Sequence, residues 1–209
     1  MTTTADTDTD IHLLRQLRGG TAAAFQTLYR RHQGPLYRFA LLRCGCAGSA
    51  ADVVQEVFMG LLTDSFKFDP LRGALPNFLF GVARKLILKH EHPRLREQAL
   101  PEHEHEHEHD DADDADSDCM AHEPLARLLN DELAEQVRHA LALLAPHYRD
   151  VVILYEMHGL SYLDIAEICQ IDIGTVRSRL SRGRAALAKR LAPHHRAVRR
   201  STQPEAAVR

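Results

Sequence analysis

Between Pro101 and Glu123 the chain reads PEHEHEHEHDDADDADSDCMAHE, and this strip constrains everything on either side of it. It holds 11 Asp/Glu, no Lys or Arg and almost nothing apolar, so burial cannot offset the entropy of ordering it. A domain boundary is therefore expected there. Two blocks joined by a disordered linker remain. The charge agrees with that division: residues 1–100 and 124–209 each carry 13 Lys/Arg against 9 Asp/Glu. The overall net charge of −3 conceals two basic blocks and one acidic strip, an arrangement suited to folded parts that approach nucleic acid.

Helical spacing dominates both blocks. In the first, Asp10 caps a short helix from Ile11 to Arg18, stopped by Gly19-Gly20. Thr21 caps the next, which Gly34-Pro35 interrupts before Leu36 to Leu42. Ser49-Ala-Ala-Asp52 resembles a capping box and opens a helix whose stripe is Val53, Val54, Val57, Phe58, Leu61 and Leu62. A last helix, from Leu75 to Lys89, turns Phe78, Leu79, Val82 and Leu86 inward, and Pro93 closes the block. In the second block Leu125, Leu129, Leu133, Val137, Leu141 and Leu144 recur every three or four residues, and Pro146 marks a break. A helix over Tyr148 to His158 follows, with Gly159 beyond its end. The expected fold class is all-α, in two small helical domains. The divisions are a 1–20 segment, a 21–98 domain, a 99–123 linker, a 124–192 domain and a basic, disordered 193–209 tail.

The densest functional signal lies at the end of the second block. Two short helices, Ser161 to Ile168 and Ile173 to about Leu191, are separated by four residues, and the second is rich in Arg: a helix-turn-helix pattern. Ser161 and Asp164 form a capping box, and Asp172 caps the second helix. With Ile165, Ala166, Ile168, Ile173, Val176 and Leu180 inward, the outer face is Thr175, Arg177, Ser178, Ser181, Arg182 and Arg184. Arg reads guanine edges or grips phosphates, and Ser and Thr do either. The bland alternative is a solvated basic face.

GLSYLDIAEICQIDIGTVRSRLSRGRAALAKRL resembles region 4 of the extracytoplasmic-function sigma factors of the sigma-70 family. DVVQEVFMGLL, FDPLRG and NFLFGVARKLILKH resemble region 2 of the same family, and together the resemblances cover about 25–95 and 125–191. The resemblance implies a subunit that gives core RNA polymerase its promoter specificity. It places Asp52, Gln55, Glu56, Val57 and Phe58 where relatives dock on the beta-prime clamp helices, although Val57 and Phe58 are equally readable as core. It places Phe78, Arg84, Lys85 and Lys89 at the unwound −10 element, and Arg177, Ser178, Ser181 and Arg182 at the −35 duplex. The beta flap, promoter DNA and an anti-sigma factor are the further implied partners. Three positions depart from the pattern: Phe78 stands for a common Trp, Lys85 for Asn, and Cys169-Gln170 for Leu-Gly in the turn. Either Gln170 adopts a left-handed conformation at a cost of about 1 kcal/mol, or the turn is of another type.

No phosphate loop, paired catalytic carboxylates or nucleophile–base arrangement is visible, so neither an enzyme nor a cofactor is expected. His105-Glu106-His107-Glu108-His109 satisfies the zinc-protease H-E-x-x-H pattern, but only as an accident of a repetitive strip. His103, His105, His107 and His109 are candidate ligands for Zn²⁺, Ni²⁺ or Cu²⁺, against the plainer reading of a solvating tether. Cys44-x-Cys46 lacks zinc-knuckle spacing. The polar start of the chain is unlike a signal peptide and no apolar run spans a bilayer, so a cytoplasmic protein without membrane insertion is expected. The rival functions are a stand-alone helix-turn-helix regulator and a metal-binding regulator.

Overall fold

The computed structural model describes residues 4–97 and 124–201. The linker residues from 98 to 123, with all four candidate metal-ligating histidines, and the tail beyond Ser201 lie outside the described residues. The described chain is all helix and turn. The first block comprises α1 (Thr4–Arg18), α2 (Ala22–Cys44), α3 (Ala47–Leu62), a 3₁₀ turn (Pro70–Arg72) and α4 (Leu75–Glu97). The second comprises α5 (Pro124–Ala142), α6 (Pro146–Val152), a π-helical turn (Ile153–Met157), α7 (Tyr162–Cys169) and α8 (Ile173–Ser201).

Several expected boundaries move, each for a packing reason. α1 begins at Thr4, so Asp10 is no cap. It is a buried mid-helix carboxylate, 1% exposed, paired with Arg31 and, at 2.9 Å, with His32 Nε2. α2 passes unbroken through Pro35. Proline inside a helix costs about 3 kcal/mol, and here it is outweighed by a stripe buried at helical spacing: Leu28, His32, Leu36, Phe39, Ala40 and Arg43. α3 starts at Ala47 with Cys46 as its N-cap residue, which leaves Ser49 inside the first turn. α4 likewise continues past Pro93 to Glu97, and α8 reaches Ser201, well into the stretch expected to be an unstructured tail.

Core residues from both blocks form one continuous apolar cluster, in which Leu28, Phe39, Val57, Leu75 and Leu79 meet Leu141, Ile153, Ile165 and Leu180. Three expected core positions are outside it, Leu62 of α3 among them at 44% exposed. Leu133 is 54% exposed, and Ile173, at the very start of α8, is 36% exposed. α8 crosses α6 closely enough that a Cβ at Gly183 would stand 2.6 Å from Val152 Cγ2, so the small residue sets that approach.

Candidate nucleic-acid interface

The helix-turn-helix is held by its own caps. Ser161 Oγ accepts from the Asp164 backbone N–H at 3.2 Å, and Asp164 Oδ2 accepts from the Ser161 N–H at 3.1 Å. Burial pushes the Asp164 carboxyl up, but the Ser161 hydroxyl, donating to Oδ2 at 2.6 Å, the Asn77 amide and the Ser161 N–H together hold it below its ordinary range. The turn resolves the alternatives for Gln170: it lies at φ 56°, ψ 50°, a left-handed C-cap whose N–H reaches the Ala166 and Glu167 carbonyls. Asp172 then caps α8, accepting the Thr175 N–H at 2.8 Å and the Thr175 hydroxyl at 2.5 Å.

On α8 the buried line is Val176, Leu180 and Gly183, and at 100° per residue the opposite side is centred on Ser178, Ser181 and Arg182. Those three and Arg177 are exposed. Arg177 lies 6.0 Å over the Tyr162 ring, which steadies it without covering it. Thr175 and Arg184 stand at the margins of this face, and the scaffold engages both. Thr175 is tied to Asp172, while Arg184 donates to Glu156 at 2.5 Å and stacks 4.8 Å over Tyr155. The hydrogen bond to Glu156 holds the Arg184 pKa above its usual value.

α4 presents three faces. Leu75, Leu79, Val82, Ala83 and Leu86 enter the core. Lys85 and Lys89 are exposed on the side that also carries half-buried Phe78, whose ring packs 5.2 Å from Phe68. The third face is the heptad line Asn77, Arg84, Glu91, which sequence reasoning missed. Asn77 Nδ2 donates to Asp164 at 2.7 Å. Arg84 Nε donates to Asp150 Oδ2 at 2.7 Å, and Arg43 Nε to Asp150 Oδ1 at 2.5 Å. Arg43 also forks onto both oxygens of Glu91. Burial would depress the Arg43 pKa, but the Glu91 hydrogen bond and the charges of Asp150 and Glu91 reverse the sign and raise it. Arg84 is therefore not displayed beside Lys85 and Lys89; its side chain is only 16% exposed. The available clue was Arg43, which falls, like His32, on the mainly apolar stripe of α2.

On α3, Asp52 and Gln55 are exposed and Glu56 is half-exposed, within 3.3 Å of His90. Val57 and Phe58 are 0% and 2% exposed, so they are core: Phe58 packs 4.8 Å from the Tyr29 ring and 6.1 Å from that of Phe25. The apolar groups this surface does present are Met59 and Leu62, 50% and 44% exposed, which the sequence reading assigned elsewhere or passed over. Among the described residues no group of three or more His, Cys, Asp and Glu is placed to hold a metal ion. The Cys169 thiol, in the turn, is buried and pushed up to about 11.

Both blocks match known families. The description "Sigma-70 region 2" fits residues 28–98, and "Sigma-70, region 4" fits residues 134–187. The Escherichia coli ECF RNA polymerase sigma-E factor is 30% identical, over 88% of this chain and 95% of its own length. The chain belongs to the sigma-70 family, in its extracytoplasmic-function branch. The ECF RNA polymerase sigma factor SigE of Mycolicibacterium smegmatis is 29% identical over 82% of this chain, which spans 63% of that longer relative. Among solved structures, the sigma factor RpoE of Bartonella quintana, in complex with the anti-sigma factor NepR, is similar at a TM-score of 0.58 and 25% identity. The similarity covers 80% of this chain and 96% of that one. Region 2 of this sigma factor is thus the α2–α4 part of the first block, and region 4 is the helix-turn-helix with the helices before it. No helix among the described residues is long and apolar enough to cross a membrane.

Proposed function

We propose that this sigma factor binds core RNA polymerase and directs it to promoters by holding a −35 duplex with α8 and an unpaired −10 strand with α4. The observation that carries the reading is the α8 face. Arg177, Ser178, Ser181 and Arg182 are exposed together on a helix braced at its start by Asp172 and along its back by Val176 and Leu180. An α-helix fits the major groove, where an Arg reads guanine bidentately and hydroxyls take bases or phosphates.

On α4, Lys85 and Lys89 are placed to neutralise phosphates beside the aromatic edge of Phe78, and Arg84 joins them once it leaves Asp150. Asp52, Gln55 and Glu56 supply polar contacts to the beta-prime clamp helices, with Met59 and Leu62 as apolar anchors in place of buried Val57 and Phe58. The beta flap is the expected partner of region 4. An anti-sigma factor is a further partner on the strength of the Bartonella complex. Nucleotide transfer belongs to the polymerase, and the protein works in the cytoplasm.

Run-off transcription with bacterial core polymerase, this protein and a pool of fragments from the source genome tests the reading. Discrete protein-dependent start sites support it and reveal both promoter elements. Failure to co-elute with core would overturn it and favour a stand-alone helix-turn-helix regulator.

A further inference from the structure

Two thiols stand at the joint between α2 and α3, and the proposed recognition of promoter and polymerase uses neither. Cys44 ends α2 half-buried, Cys46 precedes α3 exposed, and both are reduced. Only Gly45 separates them, and its left-handed backbone at φ 73°, ψ 7° turns the chain from one helix into the other. Across that turn the two flanking Cα atoms lie on the order of 5–6 Å apart, inside the range a disulfide bridges.

Cys46 is the N-cap residue of α3, where Ser, Thr, Asn or Asp would bond the first-turn N–H groups. Its side chain makes no such cap bond, so helix stability does not account for a cysteine there. The sulfur still lies over the first turn: a Cβ at Gly48 would stand 3.9 Å from Cys46 Sγ. The N-terminal end of the 16-residue α3 favours an anion at that point. Cys44 has a cation of its own. Burial and the Arg43 charge lower the Arg149 pKa, while Glu91, Asp150 and Cys44 push it back, so Cys44 lies within the field of that guanidinium. A bond to the Arg43 carbonyl at 2.8 Å holds Arg149 in place. An exposed thiol at a helix start, with a second thiol beside a cation two residues away, makes a redox-reactive pair. Cys169 is the internal contrast. It is buried, and that burial pushes its thiol up to about 11, which leaves little thiolate to react.

We propose that Cys46 and Cys44 form an oxidant-reactive site, in which Cys46 attacks a hydroperoxide and Cys44 resolves the product into a disulfide. The Cys46 thiolate takes the terminal peroxide oxygen, the O–O bond breaks, and the other half leaves as alcohol or water with the proton Cys46 gave up. Cys46 is then a sulfenic acid. The Cys44 thiolate displaces hydroxide from that sulfur, the S–O bond breaks, and hydroxide leaves as water with the Cys44 proton. Two electrons pass from the thiols to the peroxide, and a dithiol reductant returns them. The site is independent of the promoter-recognition reading.

The test treats reduced full-length protein with equimolar hydrogen peroxide, blocks the remaining thiols with N-ethylmaleimide and maps tryptic peptides by mass spectrometry. The peptide 44–67, bounded by Arg43 and Lys67, should lose two hydrogens and carry no maleimide. Cys169 should oxidise at least about tenfold more slowly. Cys44→Ser should stop Cys46 at a sulfenic acid that dimedone traps, and Cys46→Ser should leave Cys44 reduced. Neither thiol is fully buried, so both variants should keep the helical circular dichroism; if one does not, the wild-type map decides. Oxidation of Cys44, Cys46 and Cys169 at one common rate overturns the site, as does a Cys46 linked to Cys119 or to a second molecule. A folded Cys44→Ser protein without a dimedone adduct on Cys46 overturns it as well.

Discussion

α4 and α8 are both basic helices built on an apolar back, yet the structure uses their cations differently. On α8, Arg182 opposite the buried line and Arg177 on its flank both remain on the surface. On α4 the cation nearest the core, Arg84, is drawn into a junction with Asp150, while Lys85 and Lys89 stay outside. The same division recurs within α8, where marginal Arg184 is taken by Glu156 and Tyr155. Position around the helix, rather than residue type, separates a side chain available to a partner from one committed to its own fold.

The most severe way to break that comparison is Asp150→Ala. It strands Arg43 and Arg84 without their shared carboxylate and should cost about 3–5 kcal/mol in a urea titration. A loss below about 1 kcal/mol would mean that Arg84 is as dispensable to the fold as an exposed lysine. Next in size are the exposed residues. Arg182→Ala should weaken binding to −35 duplex by about 1–3 kcal/mol and relax preference at one base pair. Lys85→Ala should weaken single-strand binding evenly across sequences and lower the salt slope by about 1, with thermal stability unchanged.

Gln170→Gly should raise stability by about 1 kcal/mol at most, because glycine removes the Cβ penalty at φ 56° but loses more chain entropy on folding. A neutral result would show that the turn stores no strain. The mildest test is pH. His158 lies among Phe39, Phe80 and Arg38, beside a cleft also lined by Asp10, Arg31 and His32. Burial first, and then the Arg38 charge, depress its pKa from 6.5 to about 4. The unfolded chain therefore takes up a proton that the folded form refuses. The packed state should lose stability as pH falls from about 6.5 toward about 4 and be unaffected above that window. His158→Gln should flatten this slope in thermal melts, and an unchanged slope would place the titration elsewhere.

The parts legible beforehand were those decided locally. Ser161 with Asp164, Asp172 before α8, and the inward Val176 and Leu180 follow from cap chemistry and helical spacing alone, and all are observed. Gln170 belongs to the same class, since only two outcomes were open and the turn chose one. What escaped depended on a neighbour distant in sequence. Asp10 read as a cap because Arg31 and His32 could not be placed beside it. Pro35 and Pro93 read as stops because their local cost was visible and the packing that offsets it was not. Arg84 read as a −10 contact, with Asn77 and Glu91 unremarked, because only the fold brings Asp164, Asp150 and Arg43 against that heptad line.

Because the two blocks belong to one chain, their closure does not depend on how much protein a cell contains. A tether of this reach confines each block near the other at an effective concentration on the order of millimolar. An intrinsic mutual affinity of only about −4 kcal/mol then balances dissociation, and each further 1.4 kcal/mol makes the open form tenfold rarer. Cutting anywhere between Glu97 and Pro124 would convert the junction into an ordinary bimolecular complex, and dilution alone would then free both halves.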